Sequence, residues 1–213
     1  MIVSHELVNQ LRNVIRLVSN NVVILFDNSG FEYSAKIDSY NKDSVCMSIL
    51  DKKENMVLFN KNIYLVQSII KKDKFEWIVE KATELGVSHI FPVLSERSEK
   101  KDLNMDRLNK IAIEASEQSG RSTVPTINTI ISLEEAINEI KKVPKILSIV
   151  FHTSGKKLDN TDDNIAIFIG PEGGWSEKEI GTFNEANIPI VSLGKQILRA
   201  ETAAISAIAK LIL

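Results

Sequence analysis

The hydrophobic residues of this chain follow two rhythms, and the change between them comes near residue 60. Before it, short apolar stretches alternate with polar positions, as in half-buried strands, and turn-forming residues such as "DNSG" and "SYNKD" separate them. This pattern predicts strands at 21–26, 31–38 and 44–50. We therefore expect a small β domain at residues 1–60.

From residue 61 onward, apolar stretches of strand length alternate with segments of helical periodicity. In one such segment the apolar side chains recur every three or four positions from Phe75 to Leu85, and Gly86 then stops the helix. The strands between such helices are apolar on both faces. The pattern predicts an α/β domain at residues 61–213, with a parallel sheet that helices cover on both sides.

Composition narrows the classes of protein that this chain can belong to. The net charge is −2 and no segment is strongly basic, which disfavours a tight grip on bare nucleic acid. No apolar stretch is long enough to span a bilayer, and the start lacks the features of a signal peptide. The lone Cys46 is expected to be a buried thiol. No HxxxH or CxxC spacing exists, so we predict no metal site, and we expect a cytoplasmic protein.

Two predicted strands end in glycine turns. The first is "IGPEGG" at 169–174, followed by a helix start where Ser176 and Glu179 fit a capping box. The second is "LGKQIL" at 193–198. The phosphate-binding patterns GxGxxG and GxxxxGK[ST] are absent, and the carboxylate of Glu172 would repel a phosphate. Either the glycines only permit a tight turn, or both turns line one crevice for a neutral or cationic ligand.

A third stretch makes the pattern more specific. "IGPEGGWSEKE", "LGKQILRAETAA" and "EASEQSGR" together resemble the signature motifs of the RsmE family of 16S ribosomal RNA uridine N3-methyltransferases, which belong to the SPOUT class. "KFEWIVEKATELGVSHIFPVLSERS" resembles the family's preceding stretch. "LRNVIRL" and "VVILFDNSGFEYSAKI" resemble its N-terminal PUA-like β-barrel. The resemblance covers nearly the whole chain.

The resemblance implies a fold, a cofactor and partners. The fold is α/β, with a SPOUT-type parallel sheet, a C-terminal trefoil knot at 61–213 and an RNA-binding PUA-like barrel at 1–60. The implied methyl donor is S-adenosyl-L-methionine, and the implied assembly is a homodimer to which the apolar closing helix "TAAISAIAKLIL" contributes. The implied substrate is a uridine of 16S rRNA. Because the chain has no basic excess, we expect the assembled 30S subunit to be a better substrate than free RNA.

The resemblance also suggests site residues. Arg121, Glu172 and Arg199 are the candidate catalytic residues. The candidate cofactor-binding residues lie in the two turns and the helix that follows: Ile169, Gly170, Pro171, Glu172, Gly173, Gly174, Leu193, Gly194, Ile197, Leu198 and Thr202. The candidate RNA-binding residues are basic or aromatic: Arg12, Arg16, Arg121 and Trp175.

Other readings of the same residues stay open. Arg199 has an alternative role as an ion-pair partner of Glu201, and Glu172 as an acceptor of N–H groups within its turn. The chain as a whole can also be a ribose 2′-O-methyltransferase of the SPOUT class or a non-catalytic ribosome-binding protein on the same fold. A nucleotide enzyme with phosphate chemistry would have to bind ATP or NAD, which the missing phosphate patterns disfavour.

Overall fold

The structure is a computed structural model that describes residues 1–55, 62–157 and 164–212. The chain divides into two compact units. The first is Met1–Leu58 with Arg121–Thr123, and the second is Phe59–Gly120 with Val124–Leu213. The boundary that we placed between residues 60 and 61 lies outside the described residues.

The first unit is built on a four-stranded antiparallel sheet in the order β1-β4-β3-β2. Its strands are β1 (Ile2–Val3), β2 (Val22–Phe26), β3 (Phe31–Tyr40) and β4 (Ser44–Glu54). Helix α1 (His5–Asn9) continues into a π-helical turn at Gln10–Val14. The three predicted strands are confirmed as β2, β3 and β4. Strand β1 was not predicted, because a strand of two residues is too short to show an alternation of apolar and polar positions.

A small core holds this unit together. The helical segment contributes Val8 and Leu11, and the sheet contributes Ile37 and Val45. All four side chains are buried, and Ile37 and Val45 are fully so. Non-polar burial of this kind is the main favourable term for a unit of this size.

The second unit contains a seven-stranded sheet whose pairs are all parallel. Its strands are β5 (Ile63–Ser68), β6 (His89–Leu94), β7 (Thr126–Ile127), β8 (Ile131–Ser132), β9 (Ile146–Lys157), β10 (Asn164–Ile169) and β11 (Ile190–Ser192). Its helices are α2 (Lys72–Glu84), α3 (Met105–Ser119), α4 (Leu133–Lys141), α5 (Glu177–Glu185) and α6 (Ala200–Ile212). The order is β11-β9-β10-β5-β6-β7, and β8 also pairs with β6. The predicted parallel sheet is confirmed.

Helices cover both faces of this sheet, as the apolar strands predicted. Buried residues of α2, α3 and α6 form one core cluster with the sheet. Those of α4 and α5 form a second cluster, which also contains Trp175. Strand residues divide between the clusters by alternation: Leu65 belongs to the first and Val66 to the second.

Local signals fixed several helix ends as predicted. The Ser176 hydroxyl accepts the Glu179 N–H at 3.2 Å, and the Glu179 carboxylate accepts the Ser176 N–H at 2.8 Å, which confirms the capping box. Helix α3 ends at Gly120, whose φ of 71° is left-handed and suits glycine. Among the helices that the structure describes, none has both the length and the hydropathy needed to cross a membrane.

Strand β9 is interrupted where it meets β11. Ile190 pairs with Val150, but the next residue, Val191, pairs with Lys156. The intervening residues 151–155 therefore leave the β9–β11 ladder. The ladder resumes where Gly155 lies against Val191, and a Cβ at Gly155 would be 2.1 Å from the Val191 carbonyl carbon. Only glycine allows the two backbones to approach so closely.

Candidate active site

A cavity of about 320 Å³ lies in the second unit at the carboxyl ends of β10 and β11, beside the interrupted middle of β9. Five segments line it: Arg97 after β6, the interrupted part of β9, the turn after β10, the turn after β11, and the first turn of α6. The carboxyl edge of a parallel sheet is where α/β proteins bind ligands. The expectation that both glycine turns line one crevice agrees with this geometry.

The turn after β10 is packed tightly at its start. A Cβ at Gly170 would lie 3.3 Å from the indole of Trp175, so glycine leaves room for that ring. Trp175 is 3% exposed and meets Phe183 edge-on at 5.0 Å between centroids. Its indole N–H has no hydrogen-bond partner among the described atoms. The predicted stacking of Trp175 on an RNA base does not fit this position, because the ring belongs to the core.

Two side chains join this turn to the segment that follows β6. Arg97 Nη1 donates to the carbonyls of Gly173 at 2.8 Å and Trp175 at 3.4 Å. The second carboxylate oxygen of Glu179 accepts the N–H of Glu96 at 2.8 Å. Strand β5 lies between β6 and β10 in the sheet. These contacts therefore reach across the end of β5, and through them the segment after β6 holds the turn after β10 in place.

The turn after β11 is supported by its own residues. The Ser192 hydroxyl accepts the N–H of Gly194 at 3.2 Å and donates to the carbonyl of the same residue at 2.9 Å. Gly194 has a φ of 149°, which side-chain-bearing residues rarely adopt. Ile197 lines the cavity and yet is 87% exposed. An apolar side chain that exposed at a cavity is well placed to be covered by a ligand.

The interrupted part of β9 forms a wall that we did not predict. Phe151, His152 and Thr153 line the cavity there. Apolar periodicity placed this strand at 145–152 but could not show that it leaves the ladder. The signal in the sequence was Gly155, since a glycine after a strand pattern often marks a bulge or a close backbone approach. The sequence did not indicate Arg97 as a site residue either, because its role depends on contacts with residues more than 70 positions away.

Most of the predicted cofactor-binding residues line the cavity, but Thr202 and the predicted catalytic residue Arg199 do not. The cavity is lined by Ile169, Gly170, Pro171, Glu172, Gly173, Gly174, Leu193, Gly194, Ile197 and Leu198. Glu172 is exposed there, which suits a contact with a bound molecule. Arg199 and Thr202, at the start of α6, are exposed and are not among its lining residues.

Arg121 belongs to the first unit by its contacts. It is 6% exposed, and burial lowers the pKa of its guanidinium to about 10. It donates to the hydroxyl of Thr123 at 3.4 Å. An arginine keeps its charge at this pKa, so Arg121 is a buried cation at neutral pH.

Arg12 and Arg16 meet at a second cavity, of about 610 Å³, in the first unit. The guanidinium carbon of Arg12 lies 6.0 Å from the ring centroid of Tyr40, and burial raises the pKa of that phenol. Arg16 has a φ of 62°. Arg12 thus lies near an aromatic ring, and Arg16 lines the same cavity. The described part of the chain holds no group of three or more metal-ligating residues.

Residues 58–212 match a family described as an RNA methyltransferase domain, so the chain belongs to that class. The chain belongs, more narrowly, to the ribosomal RNA small subunit methyltransferase E family. It is 31% identical to the Rickettsia conorii member, over 95% of this chain and 85% of that one. It is also 31% identical to the Bacillus subtilis member, over 97% of this chain and 87% of that one.

Solved structures agree with this membership. The Neisseria gonorrhoeae ribosomal RNA small subunit methyltransferase E, bound to S-adenosyl methionine, matches with a TM-score of 0.89 and 33% identity. The match covers 98% of this chain and 90% of that one. A Legionella pneumophila protein in complex with the same cofactor matches with a TM-score of 0.88 and 30% identity, over 97% and 88% of the two chains.

Proposed function

We propose that this protein transfers a methyl group from S-adenosyl-L-methionine to N3 of a uridine in the 16S rRNA of the small ribosomal subunit. The observation that carries the proposal is the single cavity formed by the turns after β10 and β11. Membership in the ribosomal RNA small subunit methyltransferase E family supports the substrate, and the cofactor in two similar structures supports the methyl donor.

The residues of the cavity fit this cofactor. Glycine backbones let the chain approach a ligand closely and offer N–H and C=O groups to adenine and ribose. A Cβ at Gly170 would lie only 3.3 Å from the Trp175 indole, so glycine lets the turn pack closely against that ring. The Glu172 carboxylate favours the positive charges of a sulfonium and an ammonium group and disfavours phosphate. We assign cofactor contacts to Ile169–Gly174, Leu193, Gly194, Ile197 and Leu198.

The bound cofactor supplies a methyl group on a positively charged sulfur. Uridine N3 would attack the methyl carbon, the carbon–sulfur bond would break, and S-adenosylhomocysteine would leave as a neutral thioether. N3 must lose its proton, and negative charge develops on the uracil edge. The protein has to align the two reactants and stabilise that charge. We assign Glu172 to orient the reactants or accept the proton. Arg121 and Arg199 are our candidates for the uracil edge or an RNA phosphate, with Thr202 as a further candidate cofactor contact.

We propose that residues 61–213 form a SPOUT domain with a trefoil knot. Strand β9 lies between β10 and β11, and residues 151–155 leave the β9–β11 ladder before it resumes beside Gly155. The excursion of these residues gives a loop at the cavity next to the turns after β10 and β11. General rules of chain connection disfavour knots, so support for the knot comes mainly from the family resemblance.

We also propose that residues 1–60 form a PUA-like barrel that binds RNA through Arg12 and Arg16. Support comes from their position at one cavity beside Tyr40. A homodimer in which α6 contributes is the remaining part of the proposal. Light scattering at micromolar concentration tests the dimer, and a monomeric mass would contradict it.

The decisive experiment is methylation of 30S subunits that lack the modification, with radiolabelled cofactor, followed by digestion and identification of the nucleoside. We expect 3-methyluridine at one site and much weaker transfer to protein-free 16S rRNA. The Gly170→Val variant is the negative control. A methylated ribose would place the protein with the 2′-O-methyltransferases instead, and equal transfer to both substrates would contradict the preference for the subunit.

Calorimetry separates the enzyme from a non-catalytic ribosome-binding protein. Titration with S-adenosylmethionine or S-adenosylhomocysteine should give one site per chain. Absence of binding at millimolar ligand would reject the enzyme.

A further inference from the structure

The segment that follows β6 contributes one charged side chain, that of Arg97, to the cavity. The hydrogen bonds of this side chain to the turn leave some of its N–H groups free to bind a ligand. Arg97 is exposed and lines the cavity. On the basis of the cofactor assigned above, we propose that Arg97 binds the α-carboxylate of the methionine moiety of S-adenosylmethionine.

The position of Arg97 is fixed before any ligand arrives. Its Nη1 donates to the carbonyls of Gly173 and Trp175, at 2.8 and 3.4 Å. Arg97 lies in a turn that is closed by a hydrogen bond from the Ser98 N–H to the Ser95 carbonyl, at 3.0 Å. The backbone of the preceding Glu96 is held by the Glu179 carboxylate. An arginine anchored in this way loses little further freedom when it binds a ligand.

The arginine lies against the turn at Gly173, at ordinary van der Waals distance. A Cβ there would be 3.4 Å from Cδ and 3.5 Å from Cβ of Arg97. The aliphatic part of the arginine thus runs along the wall of the cavity, and its head reaches the turn. The side chain of Arg97 therefore forms part of the cavity wall.

The donors of Arg97 are only partly used. A guanidinium has five N–H groups in a planar fork that matches a carboxylate. Both hydrogen bonds to the turn come from Nη1. Within the ranges that the structure describes, Nε and Nη2 have no hydrogen-bond partner. These two nitrogens form the edge of the guanidinium that binds a carboxylate with two parallel bonds.

The charges along the cavity match the ends of a zwitterion. Arg97 and Glu172 are its lining residues with full charges, and His152 is a further titratable one. The methionine moiety carries a carboxylate and an ammonium group on one carbon. Gly173, which follows Glu172 directly, accepts the bond from Arg97, so the cation and the anion lie along the same turn. Arg97 suits the carboxylate, and Glu172 suits the ammonium group and the sulfonium.

The experiment pairs a protein change with a ligand change, so that the contact itself is measured. Calorimetry compares the wild-type protein and Arg97→Met with two ligands, S-adenosylmethionine and its decarboxylated form. We expect Arg97→Met to weaken binding of the intact cofactor about tenfold or more, the range for a lost charge-assisted hydrogen bond. The same substitution should weaken binding of the decarboxylated ligand at least about fivefold less, because only the loss of the two hydrogen bonds to the turn remains.

The matched control is Lys100→Met, which removes the same charge from the same segment. Lys100 is exposed and does not line the cavity, so affinity for both ligands should be unchanged. If Arg97→Met does not fold, Arg97→Lys provides the same comparison, since its single ammonium group cannot make the paired contact. Its loss of affinity should likewise be larger for the intact cofactor than for the decarboxylated one.

The outcomes separate the two proposals. Equal loss with both ligands would show that Arg97 only positions the turn and would overturn the carboxylate contact. No loss with either ligand would overturn it as well. Failure of the wild-type protein to bind either ligand would instead reject the proposed function.

Discussion

The two glycine turns that line the cavity differ in what holds them. The turn after β10 is fixed by parts of the chain distant in sequence, through Arg97, Glu179 and the buried Trp175. The turn after β11 is held by a local bond pair between Ser192 and Gly194, and its tip is exposed. A segment with few buried contacts opens more readily than one with many. The comparison indicates a preformed wall on one side of the cavity and an adaptable wall on the other.

The support of the second turn comes from the strand below it. Strand β11 has three residues and pairs only with β9 in the described sheet. Where β9 resumes that ladder, Gly155 lies against the Val191 backbone. The second turn therefore follows a short strand whose last paired residues rely on the close approach of Gly155.

The largest expected effect comes from Gly155→Ala. Its methyl group would lie 2.1 Å from a backbone carbon, so the two strands must separate. We expect a loss of about 3 kcal/mol or more in the free energy of unfolding, as for other overpacked cores. Urea denaturation measures it.

Gly181→Ala is the matched control for that variant. Gly181 lies inside α5, and a Cβ there has nothing within 4 Å. Alanine should stabilise the helix by about 0.5–1 kcal/mol. If Gly155→Ala were as stable as the wild-type protein, the close approach of Gly155 to the Val191 backbone would be wrong.

Next in size are Gly170→Val and Gly194→Val, one in each turn. At Gly170 a branched side chain meets the Trp175 indole, and at Gly194 it meets an unfavourable φ of 149°. Each should weaken cofactor binding on the order of 100-fold or more, because the turn must move out of place. The first unit should still fold. Calorimetry and circular dichroism test these outcomes, and normal binding by both variants would place the cofactor elsewhere.

Substitutions of Glu179 test how the turn after β10 is anchored, without changing the turn after β11. Glu179→Ala removes the capping bond to Ser176 and the bond to Glu96, and should cost about 1–2 kcal/mol of stability. Glu179→Gln keeps one accepting oxygen and should lose about half as much. Thermal unfolding gives the stabilities. Cofactor affinity should fall with both, in the same order, and an unchanged affinity would show that the first turn needs no anchor.

The smallest effect is expected for Ile197→Ala in the second turn. The side chain is 87% exposed, so the free energy of unfolding should change by less than about 0.5 kcal/mol. Affinity for the cofactor should fall about three- to tenfold, since the ligand would cover this side chain. The control is Ile113→Ala on α3, which is 45% exposed and does not line the cavity. Equal affinities in both variants would show that the ligand does not cover Ile197.

The local signals of the sequence predicted the elements and some of their ends. The alternation of strands and helices, the Ser176–Glu179 capping box and the stop at Gly120 were all readable. These features depend on residues within one or two turns of each other, and such short-range preferences appear directly in a sequence. The motifs also led to the family, because they keep the residue types that the turns require.

What the sequence could not decide is which distant segments meet. The order of the strands, the departure of residues 151–155 from the ladder and the reach of Arg97 across the end of β5 depend on contacts far apart in the chain. Burial was decided in the same way. Trp175 follows a glycine turn and looked available for RNA, but the core beside α5 encloses it. A residue's periodicity gives its element, whereas its neighbours across the fold determine whether it is exposed, buried or part of a site.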